Sequence, residues 1–256
     1  MKYIVGFRNL AGDEETMAPK LAEILGMSLY DARLRLRAAD GGPAVGTLFP
    51  DREEAQDCSA ALRAAGFQAV VLSPEMLETE ARRFLVRGFS LGDDSLGVIS
   101  RQGENLQIPF RSVDLILRGT EIMRQTETET VREKKFSLGR AVISGGLVMT
   151  KKTTTTQEST TESRENFLHV YAENFPPVVF RESSVQYDSL GPEMQASRQL
   201  NFNFLLQKLR EKSPNAVFDD RLMNRLGQSR VLGSVLHPES HLDIAVSLLA
   251  AALRPA

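Results

Sequence analysis

A single cysteine, Cys58, stands in 256 residues, which excludes an internal disulfide and a cysteine-rich zinc module. Histidine is almost as scarce, with only His169, His237 and His241. No run approaches the ~18 apolar residues of a membrane span. The longest candidate, residues 136–149, is interrupted by Arg140 and by Gly145-Gly146. Neither sign of charge dominates: 31 Lys and Arg against 33 Asp and Glu leave a formal net charge of −2, with a sequence pI near 6.0. A general nucleic-acid-binding surface would show as strong basicity, so no nucleic-acid partner is expected. The opening MKYIVGFRNLAGDEET lacks the apolar core and small-residue cleavage site of a secretory signal, and a cytoplasmic location is the expectation.

What is present is an ordinary globular composition, 42% hydrophobic and 25% charged. Its most informative stretch lies near the start. Tyr3, Ile4, Val5 and Phe7 suit a pleated, half-buried strand. Asp13 or Thr16 can cap a helix, with Glu14 and Glu15 near its positive end. Pro19 belongs in a first helical turn, so the helix is expected to start between Glu14 and Ala18. Leu21, Ile24 and Leu25 make its apolar stripe, and Gly26 ends it. Ser28 caps a second helix with Leu29, Ala32 and Leu36 on one face and Arg33, Arg35 and Arg37 largely outside it. Gly41-Gly42-Pro43 breaks this helix, and residues 44–49 form a strand. Asp51 opens a third helix with Ala55, Cys58, Leu62 and Ala65 on one face, and Gly66 ends it before a strand over 67–72. The predicted order is β-α-α-β-α-β.

The run Gly26-Met27-Ser28-Leu29-Tyr30-Asp31-Ala32-Arg33 resembles the Gly-Leu-x-Leu-x-Glu-Ala-Lys signature of the C-terminal domain of the bacterial ribosomal stalk protein. Glu53-Glu54-Ala55, with a helix ending in Ala64-Ala65-Gly66, resembles it too. The ClpS-type adaptor of the Clp protease uses the same fold. The resemblance covers residues 1–75 and implies a small α/β binding module. In the stalk family, basic side chains on the helix before that glycine recruit translation factors; here Pro19 and Ala22 stand at those positions.

Residues 76–83 are expected as the end of a helical linker (SPEMLETEARR), followed by a β-rich domain over 84–256. Strands are predicted over 84–91, 95–100, 106–118, 166–172, 177–182 and 184–187. In the third, Val113, Leu115 and Leu117 alternate with Asp114, Ile116 and Arg118. Ser197 opens a long helix with a Phe202, Leu205, Leu206, Leu209 stripe. A short helix is expected around Leu222 and Met223, and a further helix from Pro238 with Ala245, Leu248, Leu249 and Ala252 on its apolar face. Antiparallel strands closed by one amphipathic helix weakly resemble a bacterial pleckstrin-homology-type barrel, and a generic α+β sandwich fits as well. The expected class is α+β: the small β-α-α-β-α-β domain, then a mainly antiparallel β domain with C-terminal helices. A polar, Thr-rich insertion over 126–165 reads as a solvated loop or a threonine-rich β-ribbon flanking the apolar 136–149 segment, itself either a buried hairpin with Gly145-Gly146 in its turn or a partner-binding or membrane-touching insertion.

Chemistry is sparse. His237-Pro238-Glu239-Ser240-His241 departs from the zincin H-E-x-x-H spacing, and Pro238 leaves His237 at or before the helix start, so capping or a surface role is expected. Cys58 lies on an apolar helix face, where a thiol acts as a small hydrophobe. Asp93-Asp94 and Asp219-Asp220 are neighbours whose side chains diverge, which suits turns and caps. No glycine spacing matches a phosphate-binding loop, and no cofactor is expected. The reading is a non-catalytic interaction or adaptor protein that binds a protein partner through its first domain or through 136–149. The candidate contacts are Arg33, Arg37, Phe136, Leu138, Arg140 and Leu147. The alternative is a peripheral protein sensing an anionic membrane surface through Lys134, Lys135, Arg140, Lys151 and Lys152. A third reading assembles an enzyme site from Tyr30, Tyr187, His169 and Asp220.

Overall fold

Caps and apolar stripes set the first elements: β1 (Tyr3–Arg8), α1 (Glu14–Leu25), α2 (Leu29–Ala39), β2 (Ala44–Phe49), α3 (Arg52–Ala64) and β3 (Gln68–Leu72). This is a computed structural model, and it describes residues 2–9, 13–39, 42–136 and 150–254, with side chains for all of these except 38–39 and 123–162. The Asp13 carboxylate accepts the Thr16 N–H at 2.8 Å and so fills one orphan donor of α1. Gly26 closes α1 in the left-handed region at φ 62, open to glycine without penalty. Asp51 caps α3 through the Glu53 N–H at 2.7 Å. The three strands pair antiparallel in the order β2-β1-β3. Met17, Ala18 and Leu21 of α1 and Ala55 and Leu62 of α3 cover Val5 and Phe7.

Local details differ from expectation. Pro19 lies inside α1, on its exposed side, where water can serve the carbonyl that loses its helical donor. Leu29 is exposed, while Ala32 and Leu36 are buried as expected. Gly66 ends α3 as expected: it follows the Ala65 cap at φ 101, and the Phe67 N–H donates back to the Leu62 carbonyl at 3.0 Å.

The linker holds two short 3-10 turns, Pro74–Met76 and Glu80–Arg82, in place of a helix. Then follow β4 (Phe84–Leu91), β5 (Ser95–Ser100), β6 (Asn105–Pro109), β7 (Val113–Phe136), β8 (Thr150–Ala172) and β9 (Val178–Arg181). After them come α4 (Arg198–Lys212), β10 (Val217–Leu222), α5 (Arg225–Leu232) and α6 (Pro238–Leu253). The strands form a seven-stranded sheet in the order β10-β7-β8-β9-β4-β5-β6. It is mixed, because β10 runs parallel to β7 and β4 parallel to β9, while β4-β5-β6 and β8-β9 are antiparallel. The fold class is α+β.

Three strand assignments change. The strand expected over 106–118 is broken by a 3-10 turn at Phe110–Ser112, entered from Pro109, which cannot donate to a ladder. Residues 184–187 form no strand: the Ser184 and Val185 N–H groups both donate to the Arg181 carbonyl in a turn, and the Gln186 N–H donates to the Arg87 carbonyl of β4 at 2.8 Å. The helix expected at Leu222 is strand β10, because Val217 and Phe218 find distant partners in Leu115 and Ile116.

The first part of β7 is buried on both faces, as suits a strand covered on two sides. Val113 and Ile116 join the Phe202, Leu205, Leu206 and Leu209 stripe of α4. Leu115 and Leu117 join Ile4, Val45 and Leu72 of the first sheet in a second core, to which α6 contributes Ala245, Val246, Leu248 and Leu249. A methyl carbon of Leu248 fills the space that a Cβ at Gly6 would need, so α6 rests directly on the β1 backbone. This common core crosses the boundary expected at 76–83. By contact, Met1–Glu121 and Glu165–Ala256 form one compact unit and Ile122–Arg164 another. Where it is described, the second unit is the remainder of β7 and of β8, which are neighbours in the sheet. Both polar runs of the expected insertion are therefore strand where they are described, in keeping with the β propensity of threonine.

Candidate functional site

Of the residues expected to meet a partner, Arg33 and Arg37 are placed on α2 and both are exposed. Leu138, Arg140 and Leu147 lie outside the described residues, and of Phe136 only the strand backbone is described. Lys134, Lys135, Lys151 and Lys152, invoked for an anionic membrane, likewise lie where no side chain is described.

The α2 helix presents more than its two arginines. Leu29, Tyr30 and Leu34 are 42%, 75% and 54% exposed. With Arg33 and Arg37 they sit at i, i+1, i+4, i+5 and i+8, which is one face of a helix. Local geometry fixes that face. Ser28 receives the Asp31 N–H at 3.1 Å and donates to the Asp31 carboxylate at 2.6 Å, which seats the first turn. Ala32 and Leu36 point into the core, and Arg35 folds back to donate to the Gly46 carbonyl, so the opposite face is committed. Arg37 Nε donates to Glu14 Oε2 at 2.5 Å, and this hydrogen bond with the Arg37 charge holds the Glu14 carboxyl below its usual range. The remaining face is an apolar centre with cationic flanks.

A second polar group lies inside, and the sequence did not point to it. The Arg83 side chain is only 4% exposed; its Nη1 pairs with Asp243 at 2.8 Å and its Nε lies 3.6 Å from Glu78 Oε2. His169 Nδ1 stands 3.5 Å from the same carboxylate oxygen and 3.3 Å from the Tyr171 hydroxyl. Ser247 of α6 accepts the Glu78 N–H at 2.9 Å and donates to the Asp243 carbonyl at 2.7 Å. Arg254 pairs through two nitrogens with Asp114, at 2.8 Å each, and lies over the Tyr171 ring. Burial lowers the His169 pKa and keeps the imidazole neutral. Burial also raises the Tyr171 phenol well above its usual value. For Glu78, burial would raise the pKa, but His169, Tyr171 and Arg83 favour the carboxylate and hold it lower. Among the described residues Glu78 Oε2 and Arg83 Nε and Nη2 have no hydrogen-bond partner, at a cost of about 1–3 kcal/mol for each such group. The group ties the linker, β8 and α6 together. The alternation of Phe167, His169 and Tyr171 along a strand was the one local signal for it.

The other candidates have separate neighbours. Tyr30 faces water, Asp220 is exposed, and the Tyr187 hydroxyl donates to the Glu182 carbonyl at 3.1 Å. The structure does not bring them to His169 as a shared set. Cys58 is half-buried against the first core, and burial pushes its thiol pKa up. The His237 N–H donates to His241 Nδ1 at 3.1 Å, a capping bond at the start of α6. Asp219 accepts from its neighbour Arg221 through both carboxylate oxygens. Among the described residues no group of three or more His, Cys, Asp or Glu could hold a metal ion, and no helix is long and apolar enough to cross a membrane. No protein-family model matches the chain, and no curated protein sequence is similar to it.

Proposed function

We propose that this chain is a non-catalytic adaptor of the cytoplasm, and that α2 docks an acidic, amphipathic segment of a protein partner. The observation that carries this reading is the exposed Leu29, Tyr30 and Leu34 cluster flanked by Arg33 and Arg37. Exposed apolar residues elsewhere, such as Met76, Ile99 and Met194, are spread along the chain, and single exposed residues carry no functional meaning. Three within six residues on one helix face make a small anchor, and Arg33 at its edge selects carboxylates, Arg37 being already paired with Glu14. The resemblance of residues 1–75 to the stalk-protein and ClpS-type fold, used by binding modules, points the same way.

Covering Tyr30 and Leu34 is worth about 1.5–3 kcal/mol each before ordering costs. A Tyr30→Ser/Leu34→Ser double variant should therefore weaken a partner complex by roughly a hundredfold. Both side chains are exposed, so circular dichroism should be unchanged. Affinity capture with quantitative mass spectrometry compares the full chain, this variant, and a chain lacking residues 126–165. A partner retained by the full chain and by the deletion, and lost from the double variant, supports α2 as the dock. An identical set of partners for the full chain and the double variant refutes it.

A further inference from the structure

A cavity of about 670 Å³ opens where α4 faces β10 and β7 at the edge of the seven-stranded sheet. Its size is that of a small-molecule site. Ala216 and Phe218, both half-buried, and the exposed Pro214 supply the apolar part of the lining, with Ile116 and Leu206 buried behind them. Two arginines reach the same cavity from different elements, Arg118 from β7 and Arg210 from α4.

Their surroundings are unusual for guanidinium groups. Arg118 Nη2 donates to Asn203 Oδ1 at 2.7 Å, which orients the group, while its Nε is buried with no hydrogen-bond partner among the described residues. Arg210 is exposed and stacks on Phe218, 4.1 Å from the ring centroid. Among the described residues neither forms an ion pair. The carboxylate at hand, Glu211, is already occupied: Gln207 donates to it at 2.7 Å and Lys208 lies 3.6 Å away. With Glu193 also 3.9 Å from Lys208, three cations face two carboxylates, and one positive charge is left over. The site therefore offers two oriented forks of N–H donors, a surplus positive charge and an apolar wall.

We infer that this cavity binds a small organic acid, an oxyanion held by Arg118 and Arg210 on an apolar or aromatic body packed against Pro214, Ala216 and Phe218. Planar guanidinium forks match carboxylate and phosphate oxygens. A bare inorganic anion would leave the apolar lining unfilled, and an uncharged hydrophobe would leave the arginines uncompensated. The site is separate from α2, so its test and that of the partner-binding face can succeed or fail independently.

The test is titration of the full-length chain by calorimetry and by NMR with defined probes: 4-phenylbutyrate, phenyl phosphate, inorganic phosphate and the uncharged 4-phenylbutyramide. At least one of the two organic acids should bind with Kd below about 1 mM. The amide and inorganic phosphate should each bind at least about tenfold more weakly. Arg210→Gln changes an exposed side chain and leaves the fold intact, and it should weaken the organic acid by at least about tenfold. Arg118→Gln should do the same, and Arg111→Gln, an exposed arginine outside the cavity, should not. Whichever head group binds tighter identifies the oxyanion. The inference is overturned if neither organic acid binds at about 10 mM, if inorganic phosphate binds as well as they do, or if Arg210→Gln leaves their affinity unchanged.

Discussion

Leu248→Ala separates a shared core from two adjacent ones. Leu248 is fully buried and belongs to the cluster that contains Ile4, Val45 and Leu72 from one sheet and Leu115, Leu117, Phe167 and Tyr171 from the other. One of its methyl carbons takes the space of the missing Cβ at Gly6. Removing it leaves a void walled by backbone on one side, which cannot collapse without moving β1. Leu→Ala at sites that relax poorly costs about 3–5 kcal/mol. At 1.4 kcal/mol per factor of ten, about 3 kcal/mol corresponds to a rise of roughly a hundredfold in the open population. Hydrogen exchange read by mass spectrometry resolves where the opening occurs. Amides of 4–7 and 70–72 in the first sheet and of 115–117 and 167–171 in the second should accelerate together. Faster exchange confined to α6 and the first sheet, with 115–117 and 167–171 at wild-type rates, would refute a core held in common.

The buried polar group gives two further expectations. Burial lowers the His169 pKa, so below about pH 6.5 the unfolded chain takes up a proton that the native imidazole resists, and stability falls. Glu78, whose pKa is also lowered, adds a loss only in more acidic solution, as pH falls below the ordinary carboxylate value of about 4.3 toward its own. Thermal melts between about pH 7.5 and about pH 5.5 should show the first loss in the wild type and a smaller one in His169→Gln; equal losses would count against a buried neutral imidazole. Glu78→Gln leaves the Arg83 guanidinium buried without its inner carboxylate and should cost about 3 kcal/mol in urea unfolding. The Glu78→Leu/Arg83→Met pair, which removes both charges, should lie closer to the wild type than Glu78→Gln does.

The elements of the first 75 residues were legible because their determinants are local. Asp13, Gly26 and Asp51 act within a few positions of themselves, and Leu21, Ala55 and Leu62 reveal their burial by spacing alone. The same reasoning read α4 from Ser197 through Leu209 and α6 from Pro238 onward. What escaped depends on distant chain. Asp219-Asp220-Arg221 resembles a helix start, yet these residues extend because β7, about a hundred positions earlier, offers a parallel edge. Glu78 and Arg83 stand in a charged run that looks solvated, and only α6 folding over them makes them interior. The alternating Thr and Glu of 126–130 carries the period of a strand, which low complexity disguises. Arg118 and Arg210 share a cavity across more than ninety positions, and nothing beside either one announces the other. On α2, Arg33 and Arg37 were legible as outward residues, but Leu29 was expected inside, because a stripe names a face without saying how wide its cover is.

That α6 rests on the backbone of β1 has a consequence for biosynthesis. At about 5–20 residues per second, roughly 180 positions separating β3 from the far side of α6 take on the order of 10–35 seconds to emerge. Through that interval the inner surface of the first sheet, including Ile4, Val45 and Leu72, stands without its permanent lid. A nascent chain of this kind holds apolar surface uncovered while it waits, and a product cut short before Ala245 has earliest strands as incomplete as its latest.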